Sequence, residues 1–310
     1  MPCRSGLPAP APNPDAKLDI GERVVELVTA DGTRLVANWF VPGTDALPAA
    51  AMVVVACGAG IPARFYHRLA RYLAGRGAAV LTFDYRGIGA SRSGSLRGAQ
   101  GGMDLWAVQD IAAALAHGRG CFADLPIGAV AHSVGALLLG AAPGAEAVAR
   151  AVFLGPHTGY WRDYRARWRI PLFATWHVLM PAITRAIGYF PGRLLRLGED
   201  LPAQVALDWA GRRQPQLVGT ARDAQRFGPS LFRYDAFEAA TLAISMTDDA
   251  FAPPGAARTL LAMYHGVTAT HEVIAPADIH ARRLGHFGFF RRGARETIWP
   301  RVADWLMPAA

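Results

Sequence analysis

What most restricts the fold of this chain is the recurrence of short, unbroken apolar runs separated by stretches of helical periodicity. AAAMVVVA ends at Ala56, and Ala78 to Phe83, Ile127 to Ala131, Ala149 to Leu154 and Thr241 to Met246 repeat the pattern. A run without polar alternation suits a strand covered on both faces, the condition of parallel sheets. The intervening helical stretches are Ala63 to Arg76, Met103 to His117, a segment after Ser133, Ala256 to Tyr264 and a terminal Glu296 to Leu306. Such alternation predicts an α/β fold with a mostly parallel sheet. Two β-rich runs, Arg23 to Thr29 and Arg34 to Val41, flank Asp31-Gly32, so an antiparallel hairpin with a tight turn is expected to open the sheet, and Thr270 to Ile274 to close it.

The alternation stops between Pro156 and Phe237, where Trp, Arg and Pro replace the Val-rich runs. A mainly helical cap over residues 157–238 is expected, inserted into a core formed by 18–156 and 239–310. If YWRDYRARWRIPL is one helix, Trp161, Tyr164, Trp168 and Leu172 form one face and Arg162, Arg165 and Arg169 another. The next stretch, LFATWHVLMPAI, is apolar all round, but Pro171 and Pro181 are expected to interrupt it and leave it shorter than the roughly twenty residues a bilayer span needs. Residues 1–17, MPCRSGLPAPAPNPDAK, lack an apolar signal region and read as a disordered Pro/Ala-rich tail, which makes a cytoplasmic location the expectation.

At 310 residues, 52% hydrophobic and 18% charged, the chain has the composition of a globular protein with a large core. Its net charge of +8 comes almost wholly from arginine, since Lys17 is the single lysine. The arginines are scattered, with no run of five like charges, so no nucleic-acid partner is expected. Cys3, Cys57 and Cys121 can build neither a disulfide framework nor a metal site by spacing, and neither metal nor cofactor is expected.

Ligands of open α/β sheets sit at the carboxyl ends of strands. There this chain places His132-Ser133-Val134-Gly135 after one strand, Asp248-Asp249 after another, and His286, in RRLGHFGFF, after the last. A serine hydroxyl attacks only when a positioned base takes its proton, and histidine has a suitable pKa. An aspartate then fixes the tautomer and stabilises the imidazolium. His132, adjacent to Ser133, is expected to pack rather than react, and His280 is the alternative base. Cys57 is read as a small buried residue and Asp84 as the anchor of its own Arg-Gly loop.

The order Ser, Asp, His is that of α/β-hydrolases, and the chain resembles that superfamily, most closely bacterial members of the serine aminopeptidase and monoglyceride-lipase type. AHSVG resembles the G-x-S-x-G nucleophile elbow with Ala131 in the first glycine position. FDYRGIGAS, from Phe83 to Ser91, resembles D-x-R-G-x-G-x-S, and CGAG, from Cys57 to Gly60, lies where many members have H-G-x-G. The resemblance implies Ser133 as nucleophile, His286 as base and backbone N–H groups of Val134 and Ala59 as the oxyanion hole. The acid is followed in that family by a proline, and Asp249-Ala250-Phe251-Ala252-Pro253 fits that pattern, which favours Asp249 over Asp248.

The implied activity is hydrolysis of a carboxylic ester with an apolar or medium-chain acyl group. The partner is a small-molecule or lipid-like ester, with Trp161, Tyr164 and Trp168 lining an acyl pocket and the cap touching membrane surfaces. Acyl transfer, or hydrolysis of thioesters or amides, uses the same triad. Two other classes compete. VVVACGAGIPA carries G-x-G-x-x-A between a strand and a helix, with Asp84 ending the next strand, as in a dinucleotide-binding NAD(P) reductase. That reading leaves Ser133, Asp249 and His286 unexplained. A non-catalytic binding module is expected to lack a triad member, and here none is missing.

Overall fold

The apolar runs form the middle of one eight-stranded sheet. In the computed structural model, which describes residues 19–43, 48–212 and 234–307, the strands are β1 (Ile20–Val28), β2 (Arg34–Pro42), β3 (Ala51–Ala56), β4 (Ala78–Phe83), β5 (Ile127–His132) and β6 (Val148–Leu154). Two short strands, β7 (Tyr189–Phe190) and β8 (Leu201–Pro202), pair only with each other, and β9 (Ala240–Met246) and β10 (Ala269–Ile274) complete the sheet. The tail expected to be disordered lies outside the described residues, as do residues 213–233 of the expected cap.

The order across the sheet is β1-β2-β4-β3-β5-β6-β9-β10, antiparallel at β1–β2 and β2–β4 and parallel elsewhere. Every residue of β3, β4 and β5 is buried, as their uninterrupted hydrophobicity requires. The chain steps from β3 outward to β4 and then returns across β3 to β5. This reversal makes the carboxyl ends of β3 and β5 the switch point where a crevice opens. The opening hairpin pairs Val28 with Arg34, so its connection is the five residues from Thr29 to Thr33, closed by Thr29 N–H to the Thr33 carbonyl. Within it Gly32 N–H donates to the Thr29 carbonyl, so Asp31-Gly32 lies in the expected tight turn, and Asp31 is held to the buried Arg86 at 2.7 Å.

FDYRGIGAS serves the frame. Arg86 also pairs with the fully buried Asp110 at 2.7 Å, and Asp84 accepts the Ala63 and Ala90 N–H groups. This occupies the carboxylate and the helix start that a dinucleotide would need after β3.

Between β6 and β9 the single face expected for YWRDYRARWRIPL does not form. A short turn at Trp161–Asp163 is followed by an extended Tyr164, and the helix begins only at Ala166. From there it continues through both prolines as a 22-residue helix, Ala166–Ile187. A π-turn at Thr175–Leu179 loosens the hydrogen-bond ladder at His177, the residue whose carbonyl Pro181 would otherwise crowd. The helix therefore reaches the length and apolarity of a membrane span, contrary to the sequence expectation. Here it lies along the molecule, with Met180, Pro181 and Thr184 buried and Trp176 against Trp209 of the helix Ala203–Gly211.

Candidate active site

Ser133 sits where β5 turns sharply into the helix Gly135–Leu139. Its φ of 60° is a conformation side-chain-bearing residues rarely adopt, and its N–H is tied to the Leu154 carbonyl at the end of β6. The turn is possible because residue 135 is glycine: a Cβ there would fall 2.4 Å from the Ala56 carbonyl oxygen. The strain lifts Oγ out of the strand end toward the loop that follows β10.

In that loop His286 faces Ser133. His286 Nε2 lies 2.9 Å from Ser133 Oγ, and Nδ1 lies 2.7 Å from Asp249 Oδ2. The other oxygen of Asp249 accepts the Phe251 and Ala252 N–H groups, each at 2.8 Å, so the carboxylate is held in place. Asp248 instead accepts the N–H groups of Leu284 and Gly285, anchoring the loop that carries His286. His280 is exposed in a left-handed turn away from this row.

The Cys57–Gly60 turn lies against the nucleophile, since a Cβ on Gly58 would come 3.3 Å from Ser133 Cβ. Among the described residues, neither Ala59 N–H nor Val134 N–H has an acceptor, the state required of oxyanion donors. Cys57 is buried with its Sγ toward the Phe83 carbonyl, and burial pushes the thiol up, away from the thiolate form.

His132 does more than fill space. Gly58 N–H donates to Tyr66 Oη at 2.8 Å, Tyr66 O–H donates to His132 Nδ1 at 2.9 Å, and His132 Nε2–H donates to the His286 carbonyl at 3.3 Å. One chain of hydrogen bonds thus joins the oxyanion turn to the backbone of the base. A second histidine was not anticipated from the sequence: His157 Nε2 also lies 2.9 Å from Ser133 Oγ. It stands just beyond the carboxyl end of β6, so the strand-end rule that found Ser133 covers it too. Asp163 is turned to the Thr158 and Thr259 hydroxyls and not to His157.

Of the expected substrate contacts, Tyr164 is buried and donates its O–H to the Phe251 carbonyl, beside the acid loop. Trp161 packs on Phe173. Trp168 is not brought to the site; it is 52% exposed, on the outer side of a helix that begins too late to align it with Trp161 and Tyr164.

Burial first, and the nearby His286 second, hold both His132 and His157 well below the ordinary histidine value of 6.5. The unfolded chain takes up these two protons below pH 6.5 and the folded chain does not. Their contribution to stability is therefore full above pH 6.5 and lost as pH falls. The wild type should therefore be less stable at pH 5.5 than at pH 7.5. Urea midpoints at those pH values check this, with His132→Asn expected to remove half of the loss. Equal midpoints in the wild type would contradict it.

A family model described as serine aminopeptidase, S33, matches residues 48–268, more than half of the chain. Solved structures share the fold. An esterase from Pyrococcus furiosus is 15% identical with a TM-score of 0.59, covering 96% of this chain and 95% of its own. A thermophilic esterase from Thermogutta terrifontis is 16% identical with a TM-score of 0.58, covering 92% and 98%. A monoacylglycerol lipase from Paleococcus ferrophilus is 15% identical with a TM-score of 0.54, covering 88% and 98%. No curated protein matches the sequence.

Proposed function

Because the chain belongs to the serine aminopeptidase S33 family of α/β-hydrolases, we propose that it hydrolyses carboxylic esters through an acyl-enzyme on Ser133. The observation that carries this reading is the row Ser133 Oγ, His286 and Asp249 at 2.9 and 2.7 Å. The structural neighbours named as esterases and as a monoacylglycerol lipase support an ester as the bond cleaved. As Oγ attacks the carbonyl carbon, its proton passes to His286 Nε2, and the oxyanion is received by the Ala59 and Val134 N–H groups. His286 then protonates the departing alkoxide as the carbon–oxygen bond breaks. Water repeats the sequence on the acyl-serine and releases the acid.

The described part of the segment expected as a cap, residues 157–212 and 234–238, acts in this reading as a roof whose inner side holds the acyl chain. Its outer side meets a lipid surface: Trp168, Ile170 (79% exposed) and Val178 (61%) are exposed along the helix, with Arg165, Arg167 and Arg169 at one end and Arg185 at the other. Exposed apolar side chains on a helix with arginines at its ends suit contact with an anionic lipid surface. Spanning would require giving up the packing of Met180, Pro181 and Trp176. Since burying a methylene contributes about 0.8 kcal/mol, kcat/KM should rise by up to about fourfold per carbon from p-nitrophenyl acetate to medium-chain esters. A maximum at acetate would contradict the acyl pocket. Failure to sediment with anionic vesicles would contradict the lipid surface.

A further inference from the structure

Ser133 Oγ is contacted by two imidazoles at the same distance, and only one of them can accept its proton. Asp249, a carboxylate, only accepts, so His286 carries its proton on Nδ1 and offers a bare Nε2 to the serine hydroxyl. The single hydroxyl proton is then used. His157 must therefore donate Nε2–H to Oγ, and as a neutral ring it has a bare Nδ1. That nitrogen is buried and has no partner among the described residues, in a side chain 3% exposed.

The indole Nε1–H of Trp209 is a second buried polar group without a partner among the described residues. The two rings face each other edge to face, 5.8 Å between centroids. Their placement is built into the fold, because Gly159, at φ +72°, lies so close under the indole that a Cβ would sit 2.7 Å from Trp209 Cζ2. Two rings in contact beside the nucleophile thus carry an acceptor and a donor with no partner among the described residues, and leaving both buried and unmade is costly.

We propose that His157 and Trp209 form a recognition site for an aliphatic hydroxyl on the acyl part of the substrate, which makes esters of hydroxy acids with the hydroxyl on the fifth or sixth carbon the preferred class. A hydroxyl satisfies both groups at once, donating to Nδ1 and accepting from Nε1–H. His157 touches Oγ through one nitrogen and reads the substrate through the other. With a hydrogen bond of about 2.9 Å at each ring nitrogen, the hydroxyl on Nδ1 stands roughly 7 Å from Oγ, where the fifth or sixth carbon of an acyl chain on Oγ falls. Trp209 belongs to the segment that roofs the acyl chain in the esterase reading, on which this inference rests.

The test compares kcat/KM for p-nitrophenyl 6-hydroxyhexanoate and p-nitrophenyl hexanoate, which share a leaving group, in the wild type, Trp209→Phe and His157→Phe. The ratio of the two substrates is the readout, so a general loss of activity cancels. The wild-type ratio is expected to exceed that of Trp209→Phe, which removes the N–H together with the rest of the pyrrole ring, by about tenfold, and His157→Phe should collapse it as well. Circular dichroism identifies a variant that fails to fold, and the other then carries the comparison. A parallel pair, 2-hydroxyethyl and propyl butyrate, puts the hydroxyl on the alcohol instead. Equal ratios in wild type and variants, as when water fills the pair, would overturn the proposal, as would discrimination confined to the alcohol pair. Hydrolysis of neither ester would overturn the esterase reading and this inference with it, whereas hydrolysis without discrimination would overturn this inference alone.

Discussion

Ser133→Ala is expected to lower kcat/KM for p-nitrophenyl butyrate by roughly four to six orders of magnitude, because nothing else at the carboxyl end of β5 can form the acyl bond. The substitution deletes one atom and leaves the elbow intact: Gly135 still clears the Ala56 carbonyl, and the Leu154 carbonyl still receives the N–H of residue 133. The variant should therefore unfold at a urea midpoint near that of the wild type. A residual rate above water is expected from the Ala59 and Val134 donors, which the change does not touch. Activity within tenfold of the wild type would remove Ser133 from the mechanism.

The second large effect separates two neighbouring aspartates. Asp249→Asn keeps the shape of the side chain but replaces an acceptor-only group with one that presents an N–H toward His286 Nδ1, which forces the wrong tautomer. A loss of about 10⁴-fold in kcat is expected, with little change in KM. Asp248 receives the Leu284 and Gly285 N–H groups on different oxygens, so Asp248→Asn keeps one of these bonds, turns an amide NH2 toward the other N–H and loosens the loop that carries His286, and about a tenfold loss is expected. Steady-state kinetics of both variants on one ester decides the matter, and the reverse ranking would transfer the acid role to Asp248.

How much of this was legible beforehand varied with how local the signal was. Uninterrupted runs such as Ala78–Phe83 became strands with the same bounds, because burial on both faces leaves no polar position to mislead. Ser133, Asp249 and His286, which the structure brings into one row, stand out in the sequence because each follows a strand and each is a reactive type. His157 follows β6 in the same way, yet its role depends on a contact 24 residues from Ser133 that no spacing rule contains. The helix Ala166–Ile187 misled for a different reason: proline was read as a break, whereas a π-turn and packing against Trp209 carry the helix past Pro181. Trp168 was misplaced by the same local logic, since a helix starting at Ala166 turns it to solvent.

The most direct test of the central claim is the intact mass of the protein after incubation with a fluorophosphonate ester, followed by mapping of the modified peptide. The wild type should gain one phosphonyl group, on Ser133, as the row with His286 and Asp249 requires, and Ser133→Ala should gain none. An unmodified wild type, or an adduct on any other residue that persists in Ser133→Ala, would contradict the account.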